Sequence, residues 1–163
     1  MNRIKWLGLG GLVVVKDQAT KWFVAHTLQL GDEVAVLPFF SWVRWHNEGA
    51  AFSLLSQAGG WQRWFFVILA VGFVAFIVYE LRRLPEGQRA MGWVYGLIVG
   101  GAVGNLIDRV IHGYVVDFVL LHYQQYYFPA FNIADAALTI GAALWIFVTV
   151  AEYFRQRQEQ ASS

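Results

Sequence analysis

Three apolar stretches, Trp61 to Leu81, Met91 to Ile111 and Ile133 to Phe154, decide most of what this chain can fold into. Each approaches the roughly 20 residues that carry an α-helix across the hydrocarbon of a bilayer. In lipid every backbone donor and acceptor must be satisfied inside its own segment, so each stretch is expected to form a spanning helix. Composition agrees, with 58% of the 163 residues hydrophobic and 14% charged, against roughly 45–50% and about 25% in ordinary globular domains. The length leaves room for one domain, 1–163.

An earlier stretch, Ile4 to Ala25, is weaker. Lys16, Asp17 and Lys21 interrupt it after the apolar run Trp6 to Val15. Arg3 and Lys5 followed by that short run look like a signal peptide, but no small-x-small cleavage site stands in a fitting place, so a retained first span is expected. Arg3 and Lys5 precede this span, Arg82, Arg83 and Arg89 join the second to the third, and Arg155 and Arg157 follow the fourth. Four spans with both termini in the cytoplasm put all three basic groups on one side, as the positive-inside rule requires. Residues 26–60 and 112–131 are then outside.

The first of these outer segments is rich in β-branched and aromatic residues from Val34 to Asn47, with Pro38 dividing it into two extended pieces. The expected fold is therefore an all-α membrane protein: four transmembrane helices and a small extracytoplasmic β-sheet cradle, over about residues 31–58, between the first and second spans. Trp42, Trp45, Trp61 and Trp64 suit the headgroup layer. The tail, Gln156 to Ser163, is polar and expected to fray.

Against this apolar background the carboxylates stand out. Asp117, in Val-Val-Asp-Phe, and Asp135, in Asn-Ile-Ala-Asp, sit beside membrane segments where an ionisable group is expensive and usually functional. Two carboxyl groups brought together can share one proton, the starting state for acid/base attack by water on an amide. Each has a plainer reading: Asp117 pairs with Arg109, and Asp135 caps a helix with Asn132 three residues before it. Gly92, Gly96, Gly100 and Gly104 recur every four residues in the third span, a groove for close helix packing. Whatever helix lies there is drawn toward Asn105, Asp108 and Arg109 at the ridge's end.

Other chemistries lack support. The twelve Lys and Arg are dispersed and the net charge is +1, which argues against a nucleic-acid partner. There is no cysteine, so no thiolate nucleophile. His26, His46, His112 and His122 lack metal-ligand spacing, and Ser41, Ser53 and Ser56 lack a nucleophile-elbow pattern. A competing possibility is a proton relay or transporter, with Asp17, Asp108, Asp117 and Asp135 forming a chain across the membrane.

Five motifs in order carry a resemblance: Asp17-Gln-Ala-Thr-Lys21, Asn47-Glu-Gly-Ala-Ala-Phe-Ser53, Gly104-Asn-Leu-Ile-Asp-Arg109, Val116-Asp-Phe118 and Phe131-Asn-Ile-Ala-Asp-Ala136. As a set they resemble the bacterial lipoprotein signal peptidases (signal peptidase II) over nearly the whole chain. The resemblance implies an aspartyl endopeptidase of the bacterial inner membrane that removes the signal peptide from diacylglyceryl-modified prolipoproteins at the lipobox cysteine. Asp117 and Asp135 match its catalytic pair. Asn47, Gly49, Asn105, Arg109 and Asn132 match positions that line the site or hold the substrate backbone, while Asp17, Lys21 and Asp108 are expected to be structural. The expected partners are prolipoproteins and membrane lipids, with a monomeric enzyme and no metal or organic cofactor. Lys16 departs from the pattern, at a position expected to be apolar, and is expected to pair with Asp17 or to snorkel toward an interface.

Overall fold

The computed structural model describes residues 3, 5–49 and 60–161. Residues 50–58 of the expected cradle, with Ser53 and Ser56, and Ile4 at the start of the first expected span lie outside the described residues. Four long helices are present: α1 (Lys5–Thr27), α2 (Trp61–Arg83), α3 (Arg89–Ile111) and α4 (Ile133–Ala161). Four strands join them, β1 (Glu33–Leu37), β2 (Phe40–Asn47), β3 (Val115–Tyr123) and β4 (Tyr126–Tyr127).

Among the described residues α2, α3 and α4 are long and apolar enough to cross a membrane. Their arrangement follows from what each exposes. The apolar window of α3 is 67% buried, whereas that of α2 is 11% buried; α3 is the central helix and α2 turns most of its surface outward. Helix α1 has the same 23 residues as α2 and α3, about 34 Å of helix, but is interrupted by charge. Asp17 and Lys21 point inward and are buried, while Lys16 is exposed. The expected pairing of Lys16 with Asp17 is therefore overturned: Asp17 faces Lys21, one helical turn on, at 2.8 Å.

The glycine ridge explains how α1 reaches α3. A Cβ at Gly100 would stand 2.7 Å from the Gly10 carbonyl oxygen, and one at Gly96 would stand 2.8 Å from that of Trp6. Only a hydrogen fits at either place, so the backbones meet and dispersion contacts accumulate along the seam. At the ridge's end, a Cβ at Gly104 would stand 2.7 Å from Asp17 Oδ2. The ridge thus delivers the α1 charges to Asn105 and Asp108.

The sheet is antiparallel in the order β1-β2-β3-β4. Pro38 and Phe39 make the turn between β1 and β2. Half the sheet comes from outside the segment expected to form it, since β3 and β4 lie between α3 and α4. Its first six residues are buried except Val119, and a strand covered on both faces shows no alternation by which to recognise it. Gly113, with φ of 88°, reverses the chain out of α3, a left-handed position that glycine occupies without penalty. The tail also departs from expectation. Helix α4 continues to Ala161 rather than fraying, and Arg155 and Glu159 pair across one turn at 3.5 Å.

Candidate active site

Asp117 stands on β3, and an extra residue in β2 brings Asn47 to it. Trp42 pairs with Val119 and Trp45 with Asp117, so three residues of β2 span two steps of β3. The bulge reverses which face the rest of β2 presents, because side chains alternate with period two. Asn47 then lies opposite Val115, diagonal to Asp117 on the same face, and donates from Nδ2 to Asp117 Oδ2 at 3.2 Å. Without the bulge, Asn47 would point away.

Asp135 is positioned by a helix cap. The Asp135 backbone N–H donates to Asn132 Oδ1 at 2.9 Å, and the Asn132 backbone N–H returns a bond to Asp135 Oδ2 at 3.3 Å. This is a capping box with Asp as the acidic member. The plain reading of Asp135 is therefore correct as far as it goes, yet the cap occupies only one carboxylate oxygen. The other, Oδ1, accepts from Asn105 Nδ2 at 2.7 Å.

Asn132 links the two acids. Its side chain donates to Asp117 Oδ1 at 2.8 Å and to the Val116 carbonyl at 3.3 Å. It is 0% exposed, and so stands behind the aspartates, orienting both, rather than on the wall that a substrate meets. Gly49 is also buried. Its N–H donates to Asn47 Oδ1 at 3.1 Å and its carbonyl accepts from Arg109 Nη2 at 2.9 Å. Arg109 stacks its guanidinium over Phe66 and binds carbonyls, not Asp117. The alternative reading of Asp117 as its ion-pair partner is thus not what the fold builds.

Asp117, Asp135, Asn47, Asn105 and Arg109 share one cavity of about 700 Å³. Its remaining wall is largely apolar, with Trp45, Val115, Phe128, Phe131, Leu138 and Ile140 among the lining residues. Asp117 is 4% exposed. Burial, followed by the neighbouring Asp135 charge, pushes its carboxyl up to about 7, against the amide bonds from Asn47 and Asn132 and the charge of Lys21. A site with one carboxyl protonated and one ionised near neutral pH is able to take a proton from water and to give one to a substrate.

Asp17, Lys21 and Asp108 form a second polar cluster behind this one. Lys21 Nζ lies 2.8 Å from Asp17 Oδ2 and 3.0 Å from Asp108 Oδ2. Asp17 Oδ1 accepts the Ala134 N–H at 2.9 Å, and Asp108 Oδ2 accepts the Val116 N–H at 3.1 Å. The cluster therefore fastens α1 and α3 to the first residues of α4 and β3, beside Asp135 and Asp117. Four aspartates strung into a relay, the competing expectation, do not describe this arrangement.

Two contributors were not anticipated. Gln18 donates to Asp108 Oδ1 at 2.8 Å and to the Gly104 carbonyl at 3.1 Å; its position between Asp17 and Lys21 was the available signal. His46 lines the cavity and stacks on Tyr114 with ring centroids 3.7 Å apart. Burial, then Arg44 and His112, lower its pKa below the ordinary 6.5, so the ring is neutral at pH 7.

Comparisons with known proteins point one way. A family model described as Signal peptidase (SPase) II matches residues 9–151. A lipoprotein signal peptidase of Acinetobacter baumannii is 50% identical over 163 residues, covering 99% of this chain and 90% of that protein. One from Pseudomonas putida is 46% identical over 145 residues, covering 88% and 85%. Among solved structures, a bacterial membrane enzyme determined by the in meso method at 2.3 Å superposes with a TM-score of 0.83 at 35% identity, covering 91% of this chain and 89% of that one. A second, at 1.9 Å, gives 0.78 at 36% identity over 89% and 92%.

Proposed function

The chain belongs to the signal peptidase II family, and from that premise we propose that Asp117 and Asp135 are the aspartyl pair with which this membrane peptidase removes signal peptides from prolipoproteins. The observation that carries the assignment is the contrast in their holders. Both carboxylates open on one cavity and are bound by neutral amides alone, from Asn47, Asn105 and Asn132. Among the described residues no cation pairs with either directly, and the pair retains a proton instead.

The mechanism follows from that proton. A water between the carboxyl groups loses a proton to the ionised Asp135 and attacks the scissile carbonyl. Asp117, protonated up to about pH 7, donates to the developing oxyanion, and a proton then passes to the leaving amine. No covalent intermediate is required. Arg109 lies on the same wall and orients the substrate backbone by donating to a carbonyl, while Asn105 gives its amide N–H to Asp135. The apolar wall accepts the signal helix and the diacylglyceryl chains attached to the lipobox cysteine, entering sideways from the bilayer.

In this arrangement α1 is a fourth span, its two inward charges neutralised in part by each other and its Lys16 reaching toward an interface. The chain acts as one membrane-embedded domain, 1–163, in the bacterial inner membrane. Arg82, Arg83, Arg89, Arg155 and Arg157 hold one end of the bundle in the cytoplasm and the sheet rests on the outer leaflet. A monomer suffices, since both aspartates and all their amide donors come from one chain. Purified Asp117→Asn and Asp135→Asn should fold and yet leave a diacylated prolipoprotein uncleaved on a gel-shift assay, with turnover down by at least about 1,000-fold. Wild-type turnover by either variant overturns the pair.

A further inference from the structure

Lys21 has three N–H donors and three acceptors: Asp17 Oδ2, Asp108 Oδ2, and the side-chain oxygen of Asn105 at 3.1 Å. The ion pairs account for only two of them. The third bond falls on an amide whose other end holds Asp135 at 2.7 Å. The two ends of an amide are nearly the same size, so packing alone leaves its orientation open; the partners decide it. An ammonium group only donates. Asn105 must therefore turn Oδ1 to Lys21 and Nδ2 to Asp135.

We propose that Lys21 is a positioning residue for the catalytic pair, holding Asn105 in the one orientation that supports an ionised Asp135. With Lys21 absent the amide is free to turn over. Its oxygen would then face Asp135, a contact that is favourable only if the acid is protonated, and the pair would lose its base. The charged groups around the ammonium are Asp17 from its own helix, Asp108 from α3, Asp117 from β3 and Asp135 from α4. Lys21 also counts among the groups that hold Asp117 below where burial alone would send it. Its role extends past fastening helices, although it is buried with them at 3% exposure.

This inference rests on the assignment of Asp117 and Asp135, and a double-mutant cycle tests it separately. Lys21→Met and Asn105→Ala should each lower kcat about 100-fold per folded enzyme, with KM changed by less than about threefold; together they should be no worse than about threefold beyond Asn105→Ala. The alkaline limb of the kcat profile should also move to higher pH in Lys21→Met, as the loss of a nearby positive charge requires. Multiplicative losses, or an unchanged kcat in Lys21→Met, would overturn the positioning role while leaving the aspartyl pair intact. Full activity of Asp117→Asn would instead remove the premise. Should Lys21→Met not fold, the cycle is run with Lys21→Met/Asp108→Asn, which keeps the net charge of the Asp17–Lys21–Asp108 cluster, and is read by the same outcomes.

Discussion

Two pairs of aspartates sit side by side in this protein, and their surroundings differ in one respect. Asp17 and Asp108 share an ammonium group, with Lys21 within 3.0 Å of each. Among the described residues, Asp117 and Asp135 accept from amide N–H groups and from no ammonium group. A carboxylate paired with a buried cation is useful for holding elements together. Two buried carboxylates that open on one cavity without such a cation ionise together only at a cost, and under the proposed function they keep a proton between them. Under the proposed function the same residue type serves as rivet in one cluster and as reagent in the other.

The sharpest way to break this contrast is to make the same substitution in both pairs. Asp108→Asn should lower the melting temperature in detergent by several degrees, because it removes an ion-pair partner from a buried lysine, while kcat per folded enzyme stays within about tenfold of wild type. The dyad variants should show the reverse, intact folding and lost turnover. If Asp108→Asn were as inactive as Asp117→Asn and fully stable, the division between rivet and reagent would be wrong.

A smaller effect sharpens it through pH. The folded-state pKa of Asp117, about 7, lies above its ordinary 3.8, so between these values the folded protein binds a proton that the unfolded chain has released. Its contribution to stability is complete below about pH 4 and is lost as pH rises through about 7, up to about 4 kcal/mol in all. In Asp117→Asn this loss is absent. Melting curves of the wild type and Asp117→Asn should therefore diverge between pH 5 and pH 8 in favour of the variant. Parallel curves would show that Asp117 is ionised throughout. Turnover should decline over the same range above neutrality, as the shared proton leaves.

The smallest effect concerns the lysine left out of both clusters. Lys16 is exposed on α1, next to the buried Asp17. Lys16→Leu removes a charge that costs up to about 2.5–3.5 kcal/mol at mid-span and less near an interface. It should raise the melting temperature by a few degrees without changing kcat. A lower melting temperature would indicate that Lys16 has a partner within the fold.

Much of this architecture is legible along the chain. The apolar stretches give α2, α3 and α4 nearly to their ends, because a long run without polar groups has few places to go but a helix in lipid. Pro38 divides β1 from β2 by local backbone geometry. The interval of four between glycines announces a helix contact, and the Asn132–Asp135 spacing announces a cap. What was not legible is β3, whose buried faces erase the alternation that marks a strand, and the helical tail, a polar segment with no apolar face to mark it.

The sequence by itself determined these elements and supplied the acids, since propensity, hydropathy and capping act between residues a few positions apart. Only the tertiary structure decided what holds each aspartate. Asp17 meets Asp108 through a glycine groove, and Asp117 meets Asn47 through one extra residue in β2 that reverses the face of the strand. Those pairings join segments tens of residues distant, and their register is set by packing between elements, which no local signal encodes.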